Sequence, residues 1–287
     1  MKEVENGEEG ISIKPKRDWI DILVKCKNNV IEQISPCLKT LNEPQPSLGK
    51  GAGGDAMKMV DLVAEKAIVE ILCQNKVSFT LVSEESGIQK YGNTPGDCFI
   101  TADPIDGTTN LVHGISFYAT SIAVSTKPKL SSVFAGLVTD LCHDITYTAL
   151  EGKGAFCERT RLSPSKLTSL EEAVVGLDMN TYKVRDIAPQ LTDLIQRTRH
   201  IRHFGANALE VCYVADGTID AFVDIRGKLR TTDLAAAYLI VKEAGGTITT
   251  TKGNNLDAKL DPCQKIKFIA SGNQQLHEII LDLVKQE

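Results

Sequence analysis

Cys98-Phe99-Ile100-Thr101-Ala102 runs directly into Asp103-Pro104-Ile105-Asp106-Gly107-Thr108-Thr109-Asn110. The first five residues are apolar or β-branched and predict a strand. The next eight set two carboxylates three residues apart, with Pro104 predicted to fix a turn between them and a helix able to begin at Gly107 and the threonines. That arrangement suits a hard cation. Mg²⁺ prefers an octahedron of oxygen ligands and is usually held by a few carboxylates together with phosphate oxygens. Asp103 and Asp106 are candidate ligands, and the backbone N–H groups of Gly107 and Thr108, at the positive end of a helix, are placed to hold a phosphate.

An isolated pair of aspartates at this spacing is more often an ordinary turn and helix cap. Two other features shift the balance. Ser83-Glu84-Glu85-Ser86-Gly87 follows a second apolar run at 77–82, so two acidic clusters sit at two strand ends, and Asp233, preceded by Thr231-Thr232, opens a later helix. A haloacid dehalogenase-type loop would space its aspartates at i and i+2 near the chain start. Here the spacing is i and i+3, with proline between, in mid-chain.

Outward from these motifs, residues 1–15 read as a polar lead, and Trp19, Ile22, Leu23, Cys26, Val30, Ile31 and Ile34 recur at helical spacing, with Pro36 near the helix end. The glycine- and proline-rich stretch 42–54 is expected to be a flexible loop, and 56–74 a second helix. Segments 116–126, 131–139 and 143–150 predict a β-meander. Ser163-Pro164 suggests a boundary between a first lobe, 1–164, and a second, 165–287. In the second lobe, strands at 173–177 and 218–223 alternate with helices at 184–199, 207–215 and 232–244, the pattern of an α/β unit.

Composition narrows the function classes. The 287 residues are 42% hydrophobic and 24% charged, as in folded globular proteins. Lys plus Arg number 32 against 37 Asp plus Glu, for a net charge of −5, which argues against a nucleic-acid partner. No apolar run approaches the roughly 20 residues of a membrane helix. No secretory pattern opens the chain, and the eight cysteines form no CxxC pair, so a cytoplasmic protein with reduced thiols, not bound to a membrane, is expected. His113 and His143 have no paired histidine and read as structural.

Taken in order, Asp61, Ser83-Glu84-Glu85-Ser86, Asp103-Pro-Ile-Asp106-Gly-Thr-Thr and Asp233-Leu-Ala-Ala-Ala resemble the signature of the inositol monophosphatase and fructose-1,6-bisphosphatase superfamily of Mg²⁺-dependent, Li⁺-sensitive phosphatases. The resemblance runs from about residue 17 to the C-terminus and includes Gly152-Lys153-Gly154-Ala155-Phe156, Phe204-Gly205-Ala206 and Glu243-Ala244-Gly245-Gly246. It implies an α/β (α+β) fold, a layered α-β-α-β-α sandwich with the site between the lobes, commonly assembled as a homodimer. It further implies that Glu84, Asp103 and the Ile105 carbonyl hold one Mg²⁺, that Asp103, Asp106 and Asp233 hold a second, and that Glu84 with water serves a weaker third. Asp61 paired with Thr108 would orient the attacking water, and the loop at 49–54 would close the site.

The resemblance is specific to a branch. The familiar inositol monophosphatases carry Trp before the late aspartate, whereas this chain reads Leu229-Arg230-Thr231-Thr232-Asp233, with Asp224-Ile225-Arg226-Gly227 upstream, as in the archaeal branch with combined inositol monophosphatase and fructose-1,6-bisphosphatase activity. The implied substrate contacts are Asp106, Gly107, Thr108, Gly205, Ala206, Asp224 and Arg226, with Arg202 a weaker candidate. The expected substrate is a small sugar or polyol phosphate. NADP(H), histidinol phosphate and 3′-phosphoadenosine phosphate are the alternatives within the family, and a non-catalytic regulatory binder the alternative outside it.

Overall fold

A computed structural model describes residues 17–39, 49–52, 54 and 58–284. The polar lead at 1–15 and part of the loop at 42–54 lie outside the described residues. The chain opens with α1 (Trp19–Lys39) and α2 (Met59–Gln74), followed by β1 (Phe79–Ser83), β2 (Gly87–Tyr91), β3 (Phe99–Asp106), the short α3 (Thr108–Val112), β4 (Ala119–Ser125), β5 (Val133–Asp140), β6 (Ile145–Leu150), β7 (Gly154–Cys157) and β8 (Thr160–Arg161). It continues with β9 (Val174–Leu177), α4 (Val184–Arg197), β10 (His200–Arg202), α5 (Asn207–Asp216), β11 (Ala221–Asp224), α6 (Thr231–Ala244), β12 (Thr247–Thr250), β13 (Phe268–Ser271) and α7 (Gln274–Leu283).

The strands form two sheets, ordered β2-β1-β3-β4-β5-β6-β7-β8 and β10-β9-β11-β13-β12. From β3 onward the first sheet is an antiparallel meander, as the alternating apolar segments predict, and only β1 and β3 run parallel. On one face of this sheet lie α1 and α2. Trp19, Ile22, Leu23, Cys26, Val30 and Ile34 form the buried stripe of α1, packed with Ile68 and Leu72 of α2 against Ile100, Ala102 and Ile122. The i, i+3, i+4 spacing of that stripe makes the helix and also aims it at the sheet.

The other face of the first sheet meets α5 and α6, which touch the second sheet through Phe222 and Phe268. A helix between two sheets has no solvent side, and α6 is buried without a break from Thr231 to Val241. Its Ala235-Ala236-Ala237 run keeps it thin: a Cβ at Gly136 of β5 would already stand 3.2 Å from the Ala236 backbone. Beyond the second sheet, α4 and α7 cover Val175, Leu177, Val223 and Ile269. The result is the α-β-α-β-α sandwich that the resemblance implies.

One local expectation fails. Pro104 makes no turn between the aspartates, because β3 continues through it to Asp106 with a register shift, and the chain turns at Gly107. None of the eight cysteines forms a disulfide. Among the described residues no helix is long and apolar enough to cross a membrane.

Candidate active site

The bulge in β3 decides where the two aspartates point. Asp103 pairs with Ser121 and Asp106 with Ala119, so three steps along β3 oppose two along β4. In an unbroken strand, residues at i and i+3 face opposite ways. The extra residue restores the phase, and both carboxylates share the face of Ser121 and Ala119, toward α5 and α6. Pro104 is tolerated because it sits at the irregularity, where no ladder N–H is needed, and its carbonyl accepts the Thr120 hydroxyl at 2.7 Å. Gly107 adopts φ 90°, and a Cβ there would stand 3.0 Å from Ala206 Cβ and 3.1 Å from the Phe117 carbonyl oxygen. The glycine is required both for the left-handed turn and for the approach of the 204–206 loop.

Glu84 and Glu85 occupy the turn between β1 and β2, which Glu65 of α2 pins at both flanks. The Ser83 hydroxyl donates a short hydrogen bond to Glu65 Oε2, and the Ser86 N–H donates to the same oxygen at 3.3 Å. Over this turn, the Ala52 N–H donates to the Glu85 carbonyl at 2.9 Å, so part of the glycine-rich loop rests on the acidic turn.

Asp61 and Asp233 enter the site in the same way. Each is the third residue of its helix, and each accepts the backbone N–H of the residue before the helix: Lys58 at 2.9 Å and Arg230 at 3.0 Å. The bond fixes each carboxylate at the positive end of its helix. Thr108 Oγ1 lies 2.9 Å from the Ile105 carbonyl oxygen and 3.3 Å from Asp61 Oδ1, giving the Asp61–Thr108 pairing its geometry. Burial pushes Asp61 from 3.8 up to about 6, opposed by the Lys58 N–H and the Thr108 hydroxyl.

Glu84, Asp103 and Asp233 each offer a carboxylate oxygen, and the three oxygens lie within 4.8 Å of one another. Burial, then the charges of Glu84, Asp106 and Asp233, hold Asp103 well above the usual carboxylate range, and Arg230 pulls it back. Asp106 is pushed up to about 8 by burial and then Asp233, opposed by the N–H groups of Ala208 and Asn207. Arg230 Nη2 stands 2.6 Å from Glu84 Oε1, and its Nε 3.3 Å from Asp233 Oδ1. The cluster already binds a cation, the guanidinium, and its all-oxygen donor set fits a hard divalent ion. A cavity of about 570 Å³ opens over it, bordered also by Lys58, Asn110, His113, Asn180, His203, Gly205 and Asn207.

The remaining candidates divide. Gly205 borders the cavity and donates its N–H to Glu210 Oε1 at 2.9 Å, while Asn110 ties the neighbouring Phe204 carbonyl at 2.6 Å. Ala206 is fully buried, and the first N–H groups of α5 serve Asp106 instead of facing the cavity. Asp224 and Arg226 do not line it either. Arg226 Nη2 bridges Asp178 Oδ2 at 2.5 Å and Asp224 Oδ2 at 2.6 Å, with its side chain 5% exposed, because two buried carboxylates demand a buried cation. Arg202 lies exposed on β10 and donates to the carbonyl of its neighbour Ile201. His143 Nδ1 stays beside Asp140 Oδ2 at 2.8 Å, whereas His113, expected to be structural, borders the cavity.

Arg230, Lys58, Asn180, His203 and Glu65 are additions from the structure. For Arg230 and Lys58 the available signal is a basic residue three before an aspartate at a helix start. Asn180, His203 and Glu65 carry none.

The family model of the inositol monophosphatase family matches residues 19–287. A fructose-1,6-bisphosphatase/inositol-1-monophosphatase of Methanothermobacter thermautotrophicus is 34% identical over 93% of this chain and 96% of that protein. A bifunctional NADP phosphatase/NAD kinase of Methanococcus maripaludis is 33% identical over 81% of this chain and 43% of that protein. Among solved structures, that of an inositol monophosphatase-fructose 1,6 bisphosphatase superposes with a TM-score of 0.81 at 28% identity, covering 93% of this chain and 100% of that one. With the acidic motifs, their geometry and a match over nearly the whole length in agreement, the chain belongs to the inositol monophosphatase family.

Proposed function

We propose that this phosphoric monoester hydrolase is a Mg²⁺-dependent phosphatase acting on small sugar or polyol phosphomonoesters, inositol 1-phosphate and fructose 1,6-bisphosphate first among them. The observation that carries it is the convergence of Glu84, Asp103 and Asp233 under a cavity with the Asp61–Thr108 pair at its edge. Glu84, Asp103, Asp106, Asp233 and the Ile105 carbonyl would hold two or three Mg²⁺. Such ions, when bound, polarise phosphoryl oxygens and lower the pKa of water. Asp61, with Thr108 fixed by the Ile105 carbonyl, accepts the proton of the attacking water. Gly107 and Thr108 orient the phosphate, Gly205 shapes the cavity wall beside it with its N–H held by Glu210, and the cations Lys58 and Arg230 balance the charge. Arg226 acts at one remove: its Nη1 donates to the Asn180 carbonyl at 3.3 Å, holding a residue of the cavity wall. Under this proposal the lobe 1–164 contributes Asp61, Glu84 and β3, and the lobe 165–287 contributes Asp233 and the Gly205 loop. Cytoplasmic residence and a homodimer belong to the same reading, with light scattering the test of the latter.

A second substrate class is favoured by the relative that bears an NADP phosphatase activity in its name. Phosphate release from inositol 1-phosphate, fructose 1,6-bisphosphate and NADP, each with Mg²⁺, with EDTA and with added Li⁺, separates the two. Mg²⁺-dependent, Li⁺-sensitive turnover of the first pair is expected. Preference for NADP would move the function to nucleotide cofactors, and turnover unaffected by EDTA would overturn the metal-dependent mechanism.

A further inference from the structure

Arg230 stands inside the acidic cluster. Its Nη2 contacts Glu84 Oε1 at 2.6 Å, its Nε reaches both Asp233 oxygens at 3.3 and 3.4 Å, and its charge acts on Asp103. These three carboxylates are the ones whose oxygens converge within 4.8 Å. The side chain is 11% exposed, and so little solvent screens these contacts. Three clustered carboxylates without a cation would repel one another, and removing one partner from a buried ion pair is strongly destabilising. A divalent ion would draw on the same three carboxylates, so that bound there it would stand as a second positive charge beside the guanidinium that Glu84 Oε1 holds at 2.6 Å.

We infer that Arg230 is a tethered counter-cation that a divalent ion must displace from Glu84 and Asp233. This rests on the metal-dependent reading above. The tether is built for exchange. The Arg230 backbone N–H holds Asp233 Oδ2 at 3.0 Å independently of the side chain, so the guanidinium can leave while the ligand stays aimed. Arg230 also borders the cavity, into which a long side chain can swing. The guanidinium thus stabilises the metal-free fold and, by competing for the same oxygens, weakens apparent metal affinity. A residue with only a packing role would do the first without the second.

The test is calorimetric titration of Mg²⁺ into chelator-stripped wild-type, R230Q and R230K proteins, with Tm measured with and without the ion. R230Q keeps a polar, hydrogen-bonding side chain without the charge, and its Mg²⁺ Kd is expected to fall by about tenfold, since an opposing charge pair at contact distance is removed. R230K should stay near the wild type. The Tm of R230Q should drop in EDTA and recover on adding Mg²⁺, giving a larger ion-induced rise than in the wild type. An unchanged or weaker Kd in folded R230Q overturns the inference alone, whereas failure of all three proteins to bind Mg²⁺ overturns the metal-dependent reading itself. Should stripped R230Q not fold, the wild-type Arg230 Nε–H resonance, assigned by its loss in R230K, reports directly. It is expected to shift and exchange faster with water as Mg²⁺ is added, and a resonance that stays unmoved at saturation overturns the inference.

Discussion

Asp106 Oδ2 accepts the Ala208 N–H at 2.6 Å, a bond that joins the end of β3 to the first turn of α5 across 102 residues of chain. The same carboxylate faces Asp233, so it serves as anchor and as charge. In Asp106→Asn the amide oxygen can still accept from Ala208, but the charge is gone. Phosphate release is expected to fall by more than about 100-fold, exceeding what loss of an outer-shell partner costs. The Tm in EDTA should hold near neutral pH and rise relative to the wild type above about pH 8, where Asp106 would otherwise carry a repulsive buried charge. Parallel kinetics and thermal melts check both halves, and an active variant would exclude Asp106 as a ligand.

Glu65 offers a probe that leaves the ligands themselves intact. It holds Ser83 and Ser86 on either side of Glu84-Glu85 without lining the cavity. Glu65→Gln weakens both bonds and is expected to cost about 10–100-fold in Mg²⁺ affinity, as outer-shell changes do. Calorimetric titration reads the Kd, and an unaltered value would show that the turn holds itself.

The metal-free protein should lose stability as the pH rises from 6.5 to 8.5. Burial pushes Glu210 up to about 7 and Asp106 up to about 8. A carboxyl whose folded pKa is raised favours the fold fully at acid pH, and that contribution is lost as pH passes through the raised value. His277 acts oppositely: burial lowers it to about 4, so its penalty is felt only as pH falls below the ordinary histidine value of 6.5, outside this window. Melts in EDTA are expected to show a falling Tm across the window, and Mg²⁺ should flatten the slope by favouring ionised ligands.

Arg226→Ala separates support from substrate contact. It would leave Asp178 and Asp224, 2% and 0% exposed, without the guanidinium they share, with only the His203 ring 3.7 Å from Asp178. The expected loss is about 3–5 kcal/mol of stability. Denaturant melts measure it, while the Mg²⁺ Kd should stay unchanged. A stable variant with a raised KM would instead make Arg226 a substrate contact.

The sequence exposes chemistry where it is contiguous. Asp103 and Asp106 lie within four residues, and Glu84 and Asp233 each sit at a recognisable element end. Helices with a one-sided stripe, such as α1, are equally legible. Pairings between distant residues leave no local mark. Nothing near Arg226 announces that Asp178 will claim its guanidinium, so its charge reads as available. The 204–206 loop reads as a substrate contact, yet the N–H groups behind it are committed to Asp106. Strands β10, β12 and β13 span three or four residues each, too short for alternation to declare itself. The edge strand β2 is hidden by its exposed Ile88, Gln89 and Lys90.

The out-of-step residue in β3 makes the site tolerant of one class of genetic change and intolerant of another. Substitutions at Pro104 or Ile105 alter bulk but keep the count, and the count alone sets which way Asp106 points. Losing a single codon between the two aspartates would let β3 pair evenly with β4 and make a neater ladder. The second aspartate would then sit at i+2, still opposite Ala119 and still beside Gly107, but one of the two carbonyls that the irregularity presents, Pro104's to Thr120 and Ile105's to Thr108, would be gone. The site therefore depends on a length, and a deletion that evens the ladder would remove a piece of the site while the carboxylates kept their places.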